Sequence, residues 1–174
     1  YEAWHAGKSS WKKFKSLNKY SIGIEIQNSG HQNSYENYSS MQIKSLIKLL
    51  RYLKKIYGIS PKNVLGHSDI APERKKDPGG KFPWKKLAKF NLSYWHKLRL
   101  KRIINYRLVR LTKKEQTEFF KNIFKLGYLK IDLLNDRSKK KLWIKVFQRR
   151  FRQELINGIL DQECLKISKS LIKY

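Results

Sequence analysis

The sequence predicts an α/β layer followed by a small three-helix domain, and three observations lead to that prediction. "SIGIEIQN", Ser21 to Asn28, alternates strictly between apolar and polar residues, the pattern of a half-buried strand. From Met41 to Tyr57 the apolar residues Ile43, Leu46, Ile47, Leu50, Leu53 and Tyr57 recur at helical spacing. "NVLGH" then reads as a short second strand that ends at Gly66-His67. Strand, helix and strand in this order place functional residues at strand ends.

Each element has its own local reasons. In the first strand Ile22, Ile24 and Ile26 share one face, and Gly23, Glu25 and Gln27 share the other. Gly23 leaves room beside Glu25 for a substrate or a metal. Ser39 or Ser40 is the expected N-cap of the following helix and Gly58 its stop, so that the helix can cover the isoleucine face. After "FPWKKLAKF" the chain turns helical and strongly basic. Thr112 and Glu115 form a capping-box pattern ahead of Phe119, Phe120, Ile123 and Phe124, and Gly127 ends that helix. A second helix carries Leu142, Trp143, Val146, Phe147 and Phe151. Asn157-Gly158 makes a turn, and Asp161 caps a last helix built on Leu165, Ser168, Leu171 and Ile172. The expected division is an α/β half over residues 1–95, a linker over 96–110 and a helical domain over 111–174.

Composition narrows the function classes. The chain has 174 residues, 40% of them hydrophobic and 13% aromatic, which suits a folded domain and not a disordered chain. No apolar run is long enough to cross a bilayer. "YEAWHAG" reads as the inside of a domain, so an N-terminal segment bearing any targeting signal is expected upstream. Cys164 is the single cysteine, which excludes an internal disulfide and leaves His and carboxylate side chains as metal ligands. A net charge of +27 would attract nucleic acid, anionic lipid or anionic wall polymer. Because the lysines are spread along the chain, a solvated basic surface is an equal explanation.

The residues suited to chemistry gather in "VLGHSDIAPERKKDPGGKFPW", Val64 to Trp84. His67 and Asp77 lie ten positions apart in a Gly- and Pro-rich loop that can fold both onto one ion; a His at a strand end is also commonly just hydrogen-bonded. Lys75 can point into the same pocket and stabilise an oxyanion, or be one more solvated lysine. Glu25 is either a general base or a solvated strand residue.

Three segments, "AWHAGKSSW" (Ala3 to Trp11), "SIGIEIQNSGH" (Ser21 to His31) and the Val64 to Trp84 loop, resemble in order and spacing the zinc N-acetylmuramoyl-L-alanine amidases of the amidase/peptidoglycan-recognition-protein fold, the AmiD-type envelope enzymes above all. "FQRRFRQELINGILDQECLKISKSL", Phe147 to Leu171, is similar to the helical peptidoglycan-binding module of that subgroup. The resemblance implies a mixed β-sheet flanked by helices, incomplete at its N-terminus, and hydrolysis of the amide between N-acetylmuramic acid and L-alanine with Zn2+ as cofactor. His67 and Asp77 would be zinc ligands, Lys75 would assist at the scissile carbonyl, and Glu25 would activate the attacking water. Trp4, His5 and His31 would line the substrate groove, while His96 is expected to be structural or exposed. The family's first zinc ligand is a His upstream of "WHAG", with no counterpart here. Peptidoglycan or a muropeptide is the implied partner, with the protein a monomer in the cell envelope.

Two other classes compete with the enzyme. A non-catalytic peptidoglycan receptor of the same fold would lack a ligand, whereas Glu25, His67, Lys75 and Asp77 are all present. In a nucleic-acid-binding reading the last two helices form a helix-turn-helix, with Arg149, Arg150 and Arg152 exposed to contact phosphates.

Overall fold

The computed structural model describes residues 2–30, 35–132 and 136–173. Among them the protein is mostly helical, and its one sheet is a two-stranded antiparallel ribbon, β1 (Ser10–Trp11) against β2 (Phe14–Lys15). Helix α1 spans Ser40–Tyr57 and opens on a capping box: Ser39 Oγ accepts from the Gln42 amide at 3.1 Å, and Gln42 Oε1 accepts from the Ser39 amide at 2.8 Å. Gly58 closes it at φ 62°, a conformation that an L side chain adopts only under strain. Short helices α2 (His67–Ile70), α3 (Trp84–Lys89) and α4 (Leu100–Ile103) follow. The longer α5 (Lys113–Leu126), α6 (Arg137–Phe151) and α7 (Gln162–Ile172) complete the chain. Thr112 with Glu115, Asp136 and Asp161 cap these last three helices.

Both expected strands of the α/β layer are absent among the described residues. Ser21–Asn28 carries no strand pairing, and Ile22 and Ile24 are 50% and 36% exposed. Alternation tells which residues share a face, but a strand also needs a neighbour for its backbone groups, and no described segment supplies one. Only Ile26 packs against α1, whose buried residues Ile43, Leu46, Ile47 and Leu50 meet Phe82, Trp84, Leu87 and Leu92 instead. "NVLGH" follows on a short 3-10 turn over Pro61–Asn63, carries no strand pairing, and enters α2 at His67. Asp69 causes that entry into helix, because its Oδ2 accepts from the Gly66 amide at 2.8 Å and so starts the turn.

A second and larger core joins the two ends of the chain. Ala6, Trp11 and Leu17 share a buried cluster with Phe119, Phe120 and Ile123 of α5, Trp143, Val146 and Phe147 of α6, and Leu165, Ile167 and Leu171 of α7. Trp11 meets the Tyr128 ring edge-on at 5.1 Å, and the Lys12 amide donates to the Gly127 carbonyl at 2.7 Å. Between α5 and α7 the Asn122 amide donates to Ser168 Oγ at 3.1 Å, both side chains being buried. The segment from Ala6 to Leu17 is thus held in place by the C-terminal helices.

Candidate functional site

His67 Nδ1 and Asp77 Oδ2 lie 3.1 Å apart, brought together because the Ser68 amide donates to the Asp77 carbonyl at 2.9 Å. Tyr35 and Tyr38 reach across to the same turn, their hydroxyls donating to the Pro78 carbonyl at 2.7 and 2.9 Å. Burial raises the pKa of the Asp77 carboxyl, yet its hydrogen bonds and the charges of His67 and Lys75 outweigh burial and hold it below the usual carboxylate value. Lys75 is therefore electrostatically part of the site.

The "WHAG" segment closes the other side. His67 Nε2 faces the Ala6 carbonyl at 3.2 Å, and Arg74 donates to the carbonyls of Ala6 and Lys8 while its Nη2 stands 3.4 Å from His67 Nε2. Asn18 pins this segment from within: its Oδ1 accepts from the amides of His5, Ala6 and Gly7 at 3.3, 2.7 and 3.1 Å. The His5 ring is fixed between the Ala3 carbonyl and Ser21 Oγ, each at 2.8 Å. Sequence reasoning missed Arg74 and Asn18, because a basic residue in "ERKKD" and an Asn in "LNK" carry no pattern of their own.

The pair passes a simple test for a shared cation. Two donors bound at about 2.0–2.1 Å to one tetrahedral ion stand about 3.3 Å from each other, close to the separation seen. A cation between them would take the place of the Nδ1 proton that Asp77 accepts, and Nε2–H would then donate to the Ala6 carbonyl and fix the ring. Among the described residues no third His, Cys, Asp or Glu joins the pair. His31 lies outside the described residues.

Not every expected site residue converges. Glu25 is exposed and makes no hydrogen bond or ion pair among the described residues, and Trp4 is 89% exposed. The room expected beside Gly23 is filled by the His5 ring, whose Cβ and Cγ would lie 2.6 and 2.7 Å from an added Cβ. His96 is half-buried; burial and then the Lys85 charge push its pKa down to about 4, and its Nδ1 has no hydrogen-bond partner among the described residues. Arg149, Arg150 and Arg152 are 8%, 3% and 1% exposed, so they form no phosphate-contacting surface. The C-terminal half of α6 is enclosed, and buried carboxylates partner Arg150 and Arg152.

A profile of the family described as N-acetylmuramoyl-L-alanine amidase matches residues 1–80. The chain is 35% identical over 178 residues to the N-acetylmuramoyl-L-alanine amidase AmiD of Escherichia coli K12, covering 98% of this chain and 63% of that protein. It therefore spans a little under two thirds of that relative. The fold superposes with a TM-score of 0.83 on the structure of E. coli AmiD in complex with anhydro-N-acetylmuramic acid-L-Ala-D-gamma-Glu-L-Lys, at 34% identity, covering 98% of this chain and 68% of that one. The structure of AmpDh3 from Pseudomonas aeruginosa matches with a TM-score of 0.84 at 32% identity, covering 99% and 69%.

Proposed function

The chain belongs to the N-acetylmuramoyl-L-alanine amidase family, and from that premise we propose that it hydrolyses the amide between N-acetylmuramic acid and L-alanine in peptidoglycan or its muropeptides. The observation that carries the reading is the convergence of His67 and Asp77 at 3.1 Å beside the "WHAG" carbonyl. We read the two as ligands of Zn2+. A zinc ion there would polarise the scissile carbonyl and acidify a water. Lys75 presents an ammonium on the Asp77 side, where negative charge grows on the carbonyl oxygen. Glu25 accepts the proton of the attacking water and passes it to the leaving amine. Trp4 and His5 border the groove in which the sugar and peptide lie, and we assign His31, which lies outside the described residues, to substrate binding as well.

The same reading makes residues 111–174 a helical region that holds the protein on a polymeric substrate, and places the protein in the cell envelope as a monomer. Among the described residues no helix is long and apolar enough to cross a membrane. The full mixed β-sheet of the fold, to which Ser21–Asn28 would contribute, is part of the proposal as well.

The test is incubation of the zinc-supplemented protein with anhydro-N-acetylmuramyl-tripeptide and detection of the peptide with a free L-alanine N-terminus by mass spectrometry. Release that disappears in His67→Ala and Asp77→Asn supports the assignment. Binding of the muropeptide without release would make the protein a receptor.

A further inference from the structure

We infer that Tyr128 and Arg150, which belong to the C-terminal helical region, are positioning residues that orient His67 through Asp69. The inference rests on the reading of His67 and Asp77 as the metal-holding pair. Asp69 is 3% exposed and two residues beyond His67, and its carboxylate binds the backbone amide just before the imidazole. Its Oδ2 accepts from the Gly66 amide at 2.8 Å, and its Oδ1 accepts from the Tyr128 hydroxyl at 2.7 Å. Arg150 places Nη1 3.9 Å from Asp69 Oδ2, donates from Nη2 to the Val64 carbonyl at 2.8 Å, and lies 3.4 Å above the Trp84 ring. Trp84 in turn stands against Gly66, together with the ring of Pro78, the residue after Asp77.

The Asp77 side is held from the same helical region. One residue beyond the end of α6 and its cap, Gln153 donates from Nε2 to the carbonyls of Gly80 and Phe82 at 2.6 and 2.8 Å. Both limbs of the loop that presents the pair are therefore gripped from residues 128–153.

Stability alone is a poor explanation for this choice of side chains. Burial lowers the pKa of the Arg150 guanidinium, so its charge is costly to bury, and the buried Tyr128 hydroxyl is tolerated there because Asp69 accepts from it. Well-packed apolar residues of similar volume commonly serve stability as well as a buried ion pair or better. A hydrogen-bonded polar cluster supplies direction, which apolar contact does not: it fixes where Gly66 lies and hence where the His67 ring points. Groups that orient a metal-holding imidazole from behind typically change metal affinity about 10- to 100-fold when removed.

The test compares Arg150→Met and Tyr128→Phe with Leu171→Ala, which removes a side chain 1% exposed in α7 and distant in sequence from the loop. Three quantities are measured in each: melting temperature, Co2+ affinity from the visible absorption of the bound ion, and amide exchange of Gly66. The two loop variants are expected to weaken Co2+ at least about 10-fold and to speed Gly66 exchange well below their melting temperatures. Leu171→Ala should lower the melting temperature and leave both site readouts within about two-fold, as expected of independent sites. Site readouts that follow melting temperature alike in all three variants would overturn the inference. If the unmodified protein takes no Co2+, the metal reading fails and Gly66 exchange alone decides the positioning role. Should Arg150→Met not fold, Tyr128→Phe decides it by the loss of one oxygen.

Discussion

Arg152 and Asp161 meet at 2.5 Å inside the helical region, with 1% of either side chain exposed. Arg152 Nη1 also reaches Glu163 Oε2 at 3.3 Å, and Arg107 closes on that same carboxylate at 2.7 Å. Asp161 has two further duties, accepting from the Cys164 amide as the cap of α7 and from the Leu108 amide. Removing the central cation leaves two buried carboxylates with one guanidinium between them. Arg152→Met is expected to cost about 3–5 kcal/mol in urea denaturation, the range for breaking a buried pair from one side. A loss below about 1 kcal/mol would mean that the carboxylates find water instead.

The helices were legible because their signals are local. Thr112 with Glu115 and Asp161 announced their helices through capping side chains that act within three residues, and the structure shows both caps. The spacing of His67 and Asp77 in their loop allows a shared ion and the motif resemblance favours one, but nothing in that spacing enforces the 3.1 Å contact. Ser21–Asn28 pairs with no strand among the described residues, because alternation carries no information about a pairing partner. Arg149, Arg150 and Arg152 were misplaced for the opposite reason: charge normally marks a solvated face, and Arg150 and Arg152 find partners in Asp69, Trp84, Asp161 and Glu163, nine to 81 residues away in the chain. Long-range polar partnerships of this kind leave no periodic trace.

His96 should give the protein an acid-sensitive step. Burial and the nearby Lys85 charge hold its folded-state pKa at about 4, against 6.5 in the unfolded chain. The unfolded state therefore binds more protons between those values, so stability is complete above the upper one and falls as pH drops through the window. Between pH 7 and pH 5 this one group removes about 2 kcal/mol. His96→Gln should flatten that part of the pH dependence in urea midpoints. An unchanged slope would assign the acid step to other groups.

Gly66→Ala tests how tightly the loop is packed. An added Cβ would lie 2.7 Å from Pro78 Cδ and 3.2 Å from Trp84 Cζ2, both in rigid rings, so the loop itself must shift. Overpacking of this kind costs about 1–3 kcal/mol. The shift should also separate His67 from Asp77 and weaken metal binding. Gly58→Ala is the contrast: its φ of 62° brings backbone strain, but nothing lies within 4 Å of the new atom. It should lose about 1 kcal/mol and leave metal affinity unchanged.

With two donors converging among the described residues, the 174-residue chain is expected to hold zinc weakly, since catalytic sites normally take three protein ligands. His67→Ala and Asp77→Asn should each abolish what binding there is, and His31→Ala should leave it unchanged. Zinc content after gel filtration distinguishes the cases. Tight stoichiometric zinc that disappears in His31→Ala would make His31 the third ligand and move it out of the substrate groove.

Glu25 and Lys75 should separate rate from metal. In Glu25→Gln the amide keeps the size of the side chain and cannot take up a proton, so muropeptide hydrolysis should fall about 100-fold or more while zinc is retained. Lys75→Met removes an ammonium and no ligand, so the rate should fall again with metal content unchanged. The two variants differ in a second respect. Lys75 contributes to holding the Asp77 carboxyl below its usual pKa, so Lys75→Met should raise that pKa, whereas Glu25→Gln should leave it in place. Measuring the Asp77 carboxyl by NMR in metal-free protein reads that difference directly. Full turnover in Glu25→Gln with zinc bound would remove Glu25 as the base. Zinc loss in Lys75→Met would show that the ammonium supports the metal pair rather than the carbonyl oxygen.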